Sequence, residues 1–223
     1  MDNKSAFNVE KYNENIRKVI PYYDAIYDQI FSLISTHCAG RKISLLDTGC
    51  GTGILGLRAL RELDLAEIVL CDPSEKMLSE AKELLGSGVC GFRAVGSEEL
   101  DYENRFDVVT AIQSHHYFDR ATREKAVANC FRALKKGGIF ICFENTAPFT
   151  EEGRDILIER LEAYELKAGR TPEEVKHHTA RYGTEFFPMN ILEHLDLLKK
   201  TGFAAAELLW SSYMQSGFYA IKK

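Results

Sequence analysis

The stretch Asp47-Thr48-Gly49-Cys50-Gly51-Thr52-Gly53 follows the apolar pair Leu45-Leu46. It sets a carboxylate ahead of glycines at alternate positions. Glycines so spaced allow backbone conformations closed to other residues, and they let a ligand press against bare backbone. Three ligands suit such a turn: a nucleotide phosphate, a dinucleotide, or a cofactor bearing positive charge. A phosphate-binding P-loop needs Gly-Lys-Ser or Gly-Lys-Thr after its spacer. Here Gly53 is followed by Ile54 and Leu55. The run Gly51-Thr52-Gly53-Ile54-Leu55-Gly56 does match the dinucleotide spacing G-x-G-x-x-G.

Charge separates the remaining two. A dinucleotide would seat its pyrophosphate on this loop, and a carboxylate within ~5 Å of phosphate is unfavourable in a partly buried site. An acid at position 47 suits a cation instead. S-adenosylmethionine (SAM) carries an ammonium and a sulfonium and no phosphate. Asp72, ending the next apolar run, is placed to take a ribose diol.

These residues need a scaffold that brings loop ends together. "VEKYNENIRKVI" and "YYDAIYDQIFSLI" have helical spacing, interrupted by Pro21. Short apolar runs then alternate with amphipathic ones. "KISLLD", "EIVLCD", "GFRAVG", "FDVVTAI" and "GIFICFE" read as strands. "ILGLRALREL", "SEKMLSEAKELLG" and "DRATREKAVANCFRALKK" read as helices, with Ser74 as N-cap and Gly86 past the end of the second. This alternation predicts a parallel sheet with helices on both faces and a site beyond the strands' carboxyl ends. Residues 146–187 break the pattern as a helical insert, with a capping box at Thr171 and Glu174 and Pro172 at the first helical position. "NILEHLDLLKKTG" is a capped helix. "AAELLW" and "SGFYAIKK" are too close in sequence for a crossover, so they close as an antiparallel pair.

With these elements in order, the chain resembles the class I SAM-dependent methyltransferases. Asp47 to Gly53 resembles the family's first motif, D-x-G-x-G-x-G. Asp72-Pro73-Ser74 with Met77-Leu78 resembles the acidic second motif and its helix. "AVGSEEL" resembles the adenine loop, "FDVVTAIQSHHYF" the fourth-strand motif, and "ALKKGGIFICFE" the glycine pair entering strand five. The likeness covers residues ~42–145, and the family pattern departs at Gly96, where many relatives carry an acid.

The resemblance implies a Rossmann-like, doubly wound seven-stranded α/β sheet, mostly parallel with strand 7 reversed, and a helical insert after strand 5. It implies one domain over 1–223, with 1–38 as a helical cap and 146–187 as a lid. It implies SAM as cofactor, with S-adenosylhomocysteine (SAH) as product. Asp47 would hold the methionine ammonium, directly or through water. Gly49, Cys50 and Gly51 would line the methionyl end. Asp72 would take the ribose hydroxyls, Pro73 and Met77 would flank adenine, and Ser97 and Glu98 would meet its amino edge. Gln113 would lie beneath the methionyl group, and Tyr22 is a further cofactor contact from the cap.

Methyl transfer needs alignment and exclusion of water, and a base only where the acceptor loses a proton. Candidate groups are His115, His116 and Glu144, with His177, His178, Arg181 and Tyr182 from the insert. The Asn-Pro-Pro-Tyr, Asp-Pro-Pro-Tyr and Pro-Cys signatures of nucleic-acid and protein-glutamine enzymes are absent, which favours a small-molecule acceptor. A tRNA- or protein-modifying enzyme and a non-catalytic SAM-binding module are the alternatives.

Composition narrows the partners. Net charge is −5, from 28 basic and 33 acidic residues among 223, which disfavours a broad phosphate-tracking surface. The polar opening residues lack a signal peptide's apolar core, and no run approaches the ~20 apolar residues that span a bilayer. Six cysteines without a Cys-x-x-Cys pair predict reduced thiols in a cytoplasmic protein and no metal site.

Overall fold

The computed structural model describes residues 12–86 and 90–223. The chain enters through α1 (Tyr12–Val19) and α2 (Tyr23–His37). The part of the expected first helix before Tyr12 lies outside the described residues. Alternation then proceeds through β1 (Ile43–Thr48), α3 (Ile54–Glu62), β2 (Leu65–Cys71), α4 (Glu75–Leu85), β3 (Cys90–Arg93) and β4 (Phe106–Ile112). It continues with α5 (Arg120–Ala133) and β5 (Leu134–Asn145). The insert holds α6 (Glu151–Lys167) and α7 (Pro172–Thr179), and the chain closes with α8 (Ile191–Thr201), β6 (Ala205–Ser212) and β7 (Gln215–Ile221).

The seven strands form one sheet in the order β3-β2-β1-β4-β5-β7-β6. β7 runs antiparallel to both β5 and β6, as the short C-terminal connection requires. β1 is buried at all six positions because helices cover both faces. One core joins α2 and α3 to the sheet, through Ile26, Ile30, Leu45 and Ile68. The other joins α5 and α8, through Val127, Cys130, Leu198 and Phe218. The order reverses between β1 and β4, so the loops after those strands diverge and leave a crevice.

Local chemistry fixes the helix ends. The Ser74 hydroxyl caps α4, and the capping box at Thr171 and Glu174 is formed at α7. One boundary differs from expectation. The lysines expected to end α5 lie in β5, because Leu134 already pairs with Phe106. The register shifts before Val108 meets Ile139, and the intervening residues include the glycine pair. A Cβ on Gly138 would lie 2.9 Å from the Lys135 carbonyl oxygen, so glycine permits this irregularity.

The insert leaves and returns at neighbouring points, since Thr146 bridges to Met189. Its helix α6 packs on α1, where the Tyr164 hydroxyl donates to the Arg17 carbonyl at 2.7 Å. No helix among the described residues is long and apolar enough to cross a membrane. Cys38, Cys71, Cys130 and Cys142 are buried and Cys50 half-buried, all as free thiols.

Candidate active site

The glycine loop turns on positive φ at Gly49 (69°), Gly51 (54°) and Gly53 (83°). Two of these glycines serve different needs. A Cβ on Gly49 would meet the Ser114 Cβ at 2.5 Å, so that glycine lets two loops touch. A Cβ on Gly51 would meet nothing within 4 Å, so its backbone faces open space. The Asp72 Oδ2 accepts the Gly51 N–H at 2.9 Å and Oδ1 accepts the Ser74 N–H at 2.9 Å. The acid after β2 therefore fixes the loop after β1. Gly51→Ala is expected to weaken SAH binding at least tenfold while lowering stability by only about 1–2 kcal/mol, the cost of a left-handed alanine. Gly49→Ala should instead lower the melting temperature strongly. Paired calorimetry and thermal scans check both.

A cavity of about 730 Å³ opens beyond these loops, a size common for ligand clefts. Gly49, Gly51, Asp72, Pro73, Met77, Ser97, Glu98 and Gln113 line it. Asp47 and Cys50 are absent from its wall. Asp47 is 2% exposed beneath the loop, opposite Thr110 in the β1–β4 register, and accepts the Thr110 hydroxyl at 2.7 Å. Burial pushes its carboxyl up to about 7, against the Thr110 bond, with the Asp72 charge adding to the rise. Tyr22 is 60% exposed at positive φ and packs on Trp210 and Tyr213, away from the cavity wall.

The residues present fit SAM. Glu98 Oε2 is buried without a hydrogen-bond partner among the described residues, and Glu98 lines the cavity. Its carboxyl lies within 2.7 Å of the place a Gly96 Cβ would take. Glu98 thus fills the room of the acid missing at position 96, an orphan acceptor suited to an exocyclic amine. Glu98→Ala is expected to weaken SAH binding roughly tenfold, the worth of one charge-assisted hydrogen bond, with little change in melting temperature; titration calorimetry checks it. The Ser114 hydroxyl is likewise buried and unpartnered beside Gly49. Sequence reasoning passed over Ser114, although it directly follows Gln113 at the end of β4. Gln113 takes a positive φ of 55° and donates to Gln215, which donates to Asn145, so three cavity-lining amides form a ladder.

The two adjacent histidines part company. Residues 115–117 form a single 3-10 turn after β4. His115 points inward, 2% exposed, with Nε2 at 2.9 Å from the Ser97 hydroxyl and its ring stacked on Phe140. Burial pushes its pKa down to about 4, so it is a neutral interior group away from the cavity wall. His116 lines the cavity, with Nδ1 at 2.8 Å from Glu144 Oε2. Glu144 also accepts the backbone N–H groups of His115 and His116. Burial would raise the Glu144 carboxyl, but the His116 bond and neighbouring histidines outweigh it and hold it below its ordinary value.

The insert supplies His178, Arg181 and Phe186 to the same wall, and Tyr117 joins them. Arg123 had no sequence signal beyond its place on the apolar face of α5. It is buried and donates to the carbonyls of His115, Phe118 and Phe187, tying the turn after β4 to the insert's return.

Known proteins agree with this geometry. A family model described as a methyltransferase domain matches residues 45–138. The carboxy-S-adenosyl-L-methionine synthase of Staphylococcus epidermidis is 23% identical, over 98% of this chain and 96% of that protein. A like-named protein of Hydrogenovibrio crunogenus is 25% identical, over 96% of this chain and 86% of its own. Among solved structures, a putative SAM-dependent methyltransferase from Methanococcus maripaludis superposes with TM-score 0.68 at 16% identity, covering 99% of this chain and 94% of its own. Magnesium protoporphyrin IX methyltransferase from Synechocystis, with bound SAH, gives 0.65 at 18% identity, covering 93% and 86%. Residues 45–138 carry the methyltransferase-domain likeness, and the sheet order is the fold shared with these methyltransferase structures, consistent with SAM as the cofactor.

Proposed function

We propose that the chain moves the sulfonium methyl of SAM, by in-line displacement, to a small molecule that carries an anionic group and a separate protic nucleophile. The cavity wall made by His116, Tyr117, His178, Arg181 and Phe186 carries this reading. It is aromatic and basic. Arg181 is 5% exposed, with its Nε on Glu185 and its guanidinium against Phe186. An arginine offers five donors, so it can hold an anion beside Glu185. SAM arrives activated, and the protein's task is to align the acceptor and exclude water. In this reading residues 1–223 form one domain, with the helices of 1–38 and the insert 146–187 roofing the cavity. Ile16, Val19 and Ile20 of α1 and His178 of α7 line it. The acidic net charge favours a small acceptor over tRNA, and free thiols suit the cytoplasm.

A second reading is carboxylation of SAM at its methyl carbon, in which a readily decarboxylated acid would give up CO2 through cleavage of its carbon–carboxyl bond and take up the proton that the cofactor carbon exchanges for the carboxyl group. The relatives named carboxy-S-adenosyl-L-methionine synthase support it, since they match across the insert as well as the glycine loop. Arg181 would then face a carboxylate carried by the cofactor itself. Incubation with SAM and a panel of small hydroxy, amino and thiol acids together with readily decarboxylated keto acids, followed by mass spectrometry of the nucleoside, separates the two. SAH supports methyl departure, and a nucleoside heavier than SAM by one carboxyl group supports the second reading. Tight SAH binding with SAM unchanged across the panel would overturn both and leave a ligand-sensing module.

A further inference from the structure

We propose that His178 takes the proton the acceptor's nucleophile loses during transfer, with Glu165 as its positioning residue. This rests on the methyl-transfer reading above. Glu165 lies on α6, fully buried, and its Oε1 sits 2.6 Å from the His178 Nδ1. Its Oε2 pairs with Arg170 from the turn between α6 and α7. A carboxylate buried in a helical hairpin costs stability unless both oxygens are engaged, and both Glu165 oxygens are. What sets it apart from hairpin cement is its address. His178 forms part of the cavity wall. With Nδ1–H donated to Glu165, a neutral ring would keep its lone pair on Nε2, the nitrogen that Glu165 does not engage.

His116 and His178 bracket one phenyl ring, lying 5.9 and 6.2 Å from Phe186 by ring centroids. Both have a carboxylate behind them, but the carboxylates differ in duty. Glu144 anchors the turn after β4 through two backbone N–H groups as well as His116. The Glu165 side chain divides its oxygens between His178 and Arg170, an arrangement that orients an imidazole and stabilises the imidazolium it becomes. In the step, a lone pair on the acceptor heteroatom attacks the methyl carbon. The carbon–sulfur bond breaks with its pair left on sulfur, giving SAH. The heteroatom's proton passes to His178 Nε2 and then to water.

The test uses the full chain, with His178→Asn and Glu165→Gln beside the unmodified protein. Imidazole-labelled histidine NMR gives the tautomer without an acceptor. Glu165 from α6, Arg170 behind it, Arg181 and Tyr182 from the turn after α7, and His116 across the cavity are the charged and titratable groups around this ring. The expected result is an Nδ1–H tautomer for His178 in the unmodified protein and a mixture with the Nε2–H tautomer in Glu165→Gln. With any acid the unmodified protein methylates, His178→Asn should lower kcat about a hundredfold or more. SAH affinity should be kept. A His178 in the Nε2–H tautomer, or one whose tautomer ignores Glu165→Gln, overturns the proposal, as does a His178→Asn enzyme at near-normal kcat. In those cases SAH formation still stands and with it the methyl-transfer reading. A carboxylated nucleoside as product overturns both, since no acceptor proton is then lost.

Discussion

Asp72→Ala should reduce affinity for SAM and SAH by two orders of magnitude or more and leave a folded protein. The carboxylate is 8% exposed, lines the cavity, and anchors the Gly51 and Ser74 N–H groups. Each oxygen has a further lone pair for a ribose hydroxyl. Two charge-assisted hydrogen bonds at about 1.5–3 kcal/mol each correspond to a factor between about a hundred and ten thousand. Folding should survive, because burial already penalises this charge. Its pKa stands above the ordinary value through burial, which outweighs the bonds from Ser74 and Gly51. Asp72→Asn should fall between, since an amide accepts from one backbone N–H and turns its own donors toward the other. Calorimetry with SAH and a thermal scan suffice. An alanine variant that binds SAH within a few-fold of normal would remove Asp72 from the nucleoside site.

The elements that hold Asp72 and the glycine loop were legible because their signals are local. A strand buried on both faces shows as a short apolar run, and β1, β2, β4 and β5 appear in sequence as such runs. Caps at Ser74 and Thr171 are written in residues three apart. What escaped depends on which way a side chain turns. His115 and His116 are neighbours with the same chemistry, yet one 3-10 turn sends the first to the interior and the second to the cavity. The pairing of Glu165, Arg170 and His178 exists only once α6 and α7 fold against each other. Glu98 became readable as the stand-in for the acid missing at position 96 only when its carboxyl was seen to lie over Gly96.

Asp47 is the case where sequence and structure together say more than either. The sequence put a charge at the lip of the loop, while the structure sets it beneath, fully enclosed, with its pKa raised to about 7 by burial. The ordinary value is 3.8. Between those limits the folded protein keeps a proton that the unfolded chain has lost, so stability falls as pH rises through that window and the loss is complete above pH 7. The penalty is at most about 4 kcal/mol, at 1.36 kcal/mol per pH unit. Asparagine is neutral, nearly the same shape, and can still accept the Thr110 hydroxyl. Asp47→Asn should therefore raise the melting temperature of the ligand-free protein, most above pH 7 and progressively less toward pH 4. The same change should harm binding. An ammonium ~6–8 Å from the carboxylate gains about 2–3 kcal/mol at an effective dielectric of 20, worth roughly ten- to a hundredfold in affinity. SAM affinity of the unmodified protein should rise with pH through 7 as this carboxyl ionises, and the asparagine variant should lack that rise. The same buried charge opposes a pyrophosphate on the loop, which explains how a literal dinucleotide spacing can serve a cationic cofactor. A variant less stable than the parent at pH 8, or one that binds SAM as tightly as the parent, would show that Asp47 is a packing residue and that the loop's choice of ligand lies elsewhere.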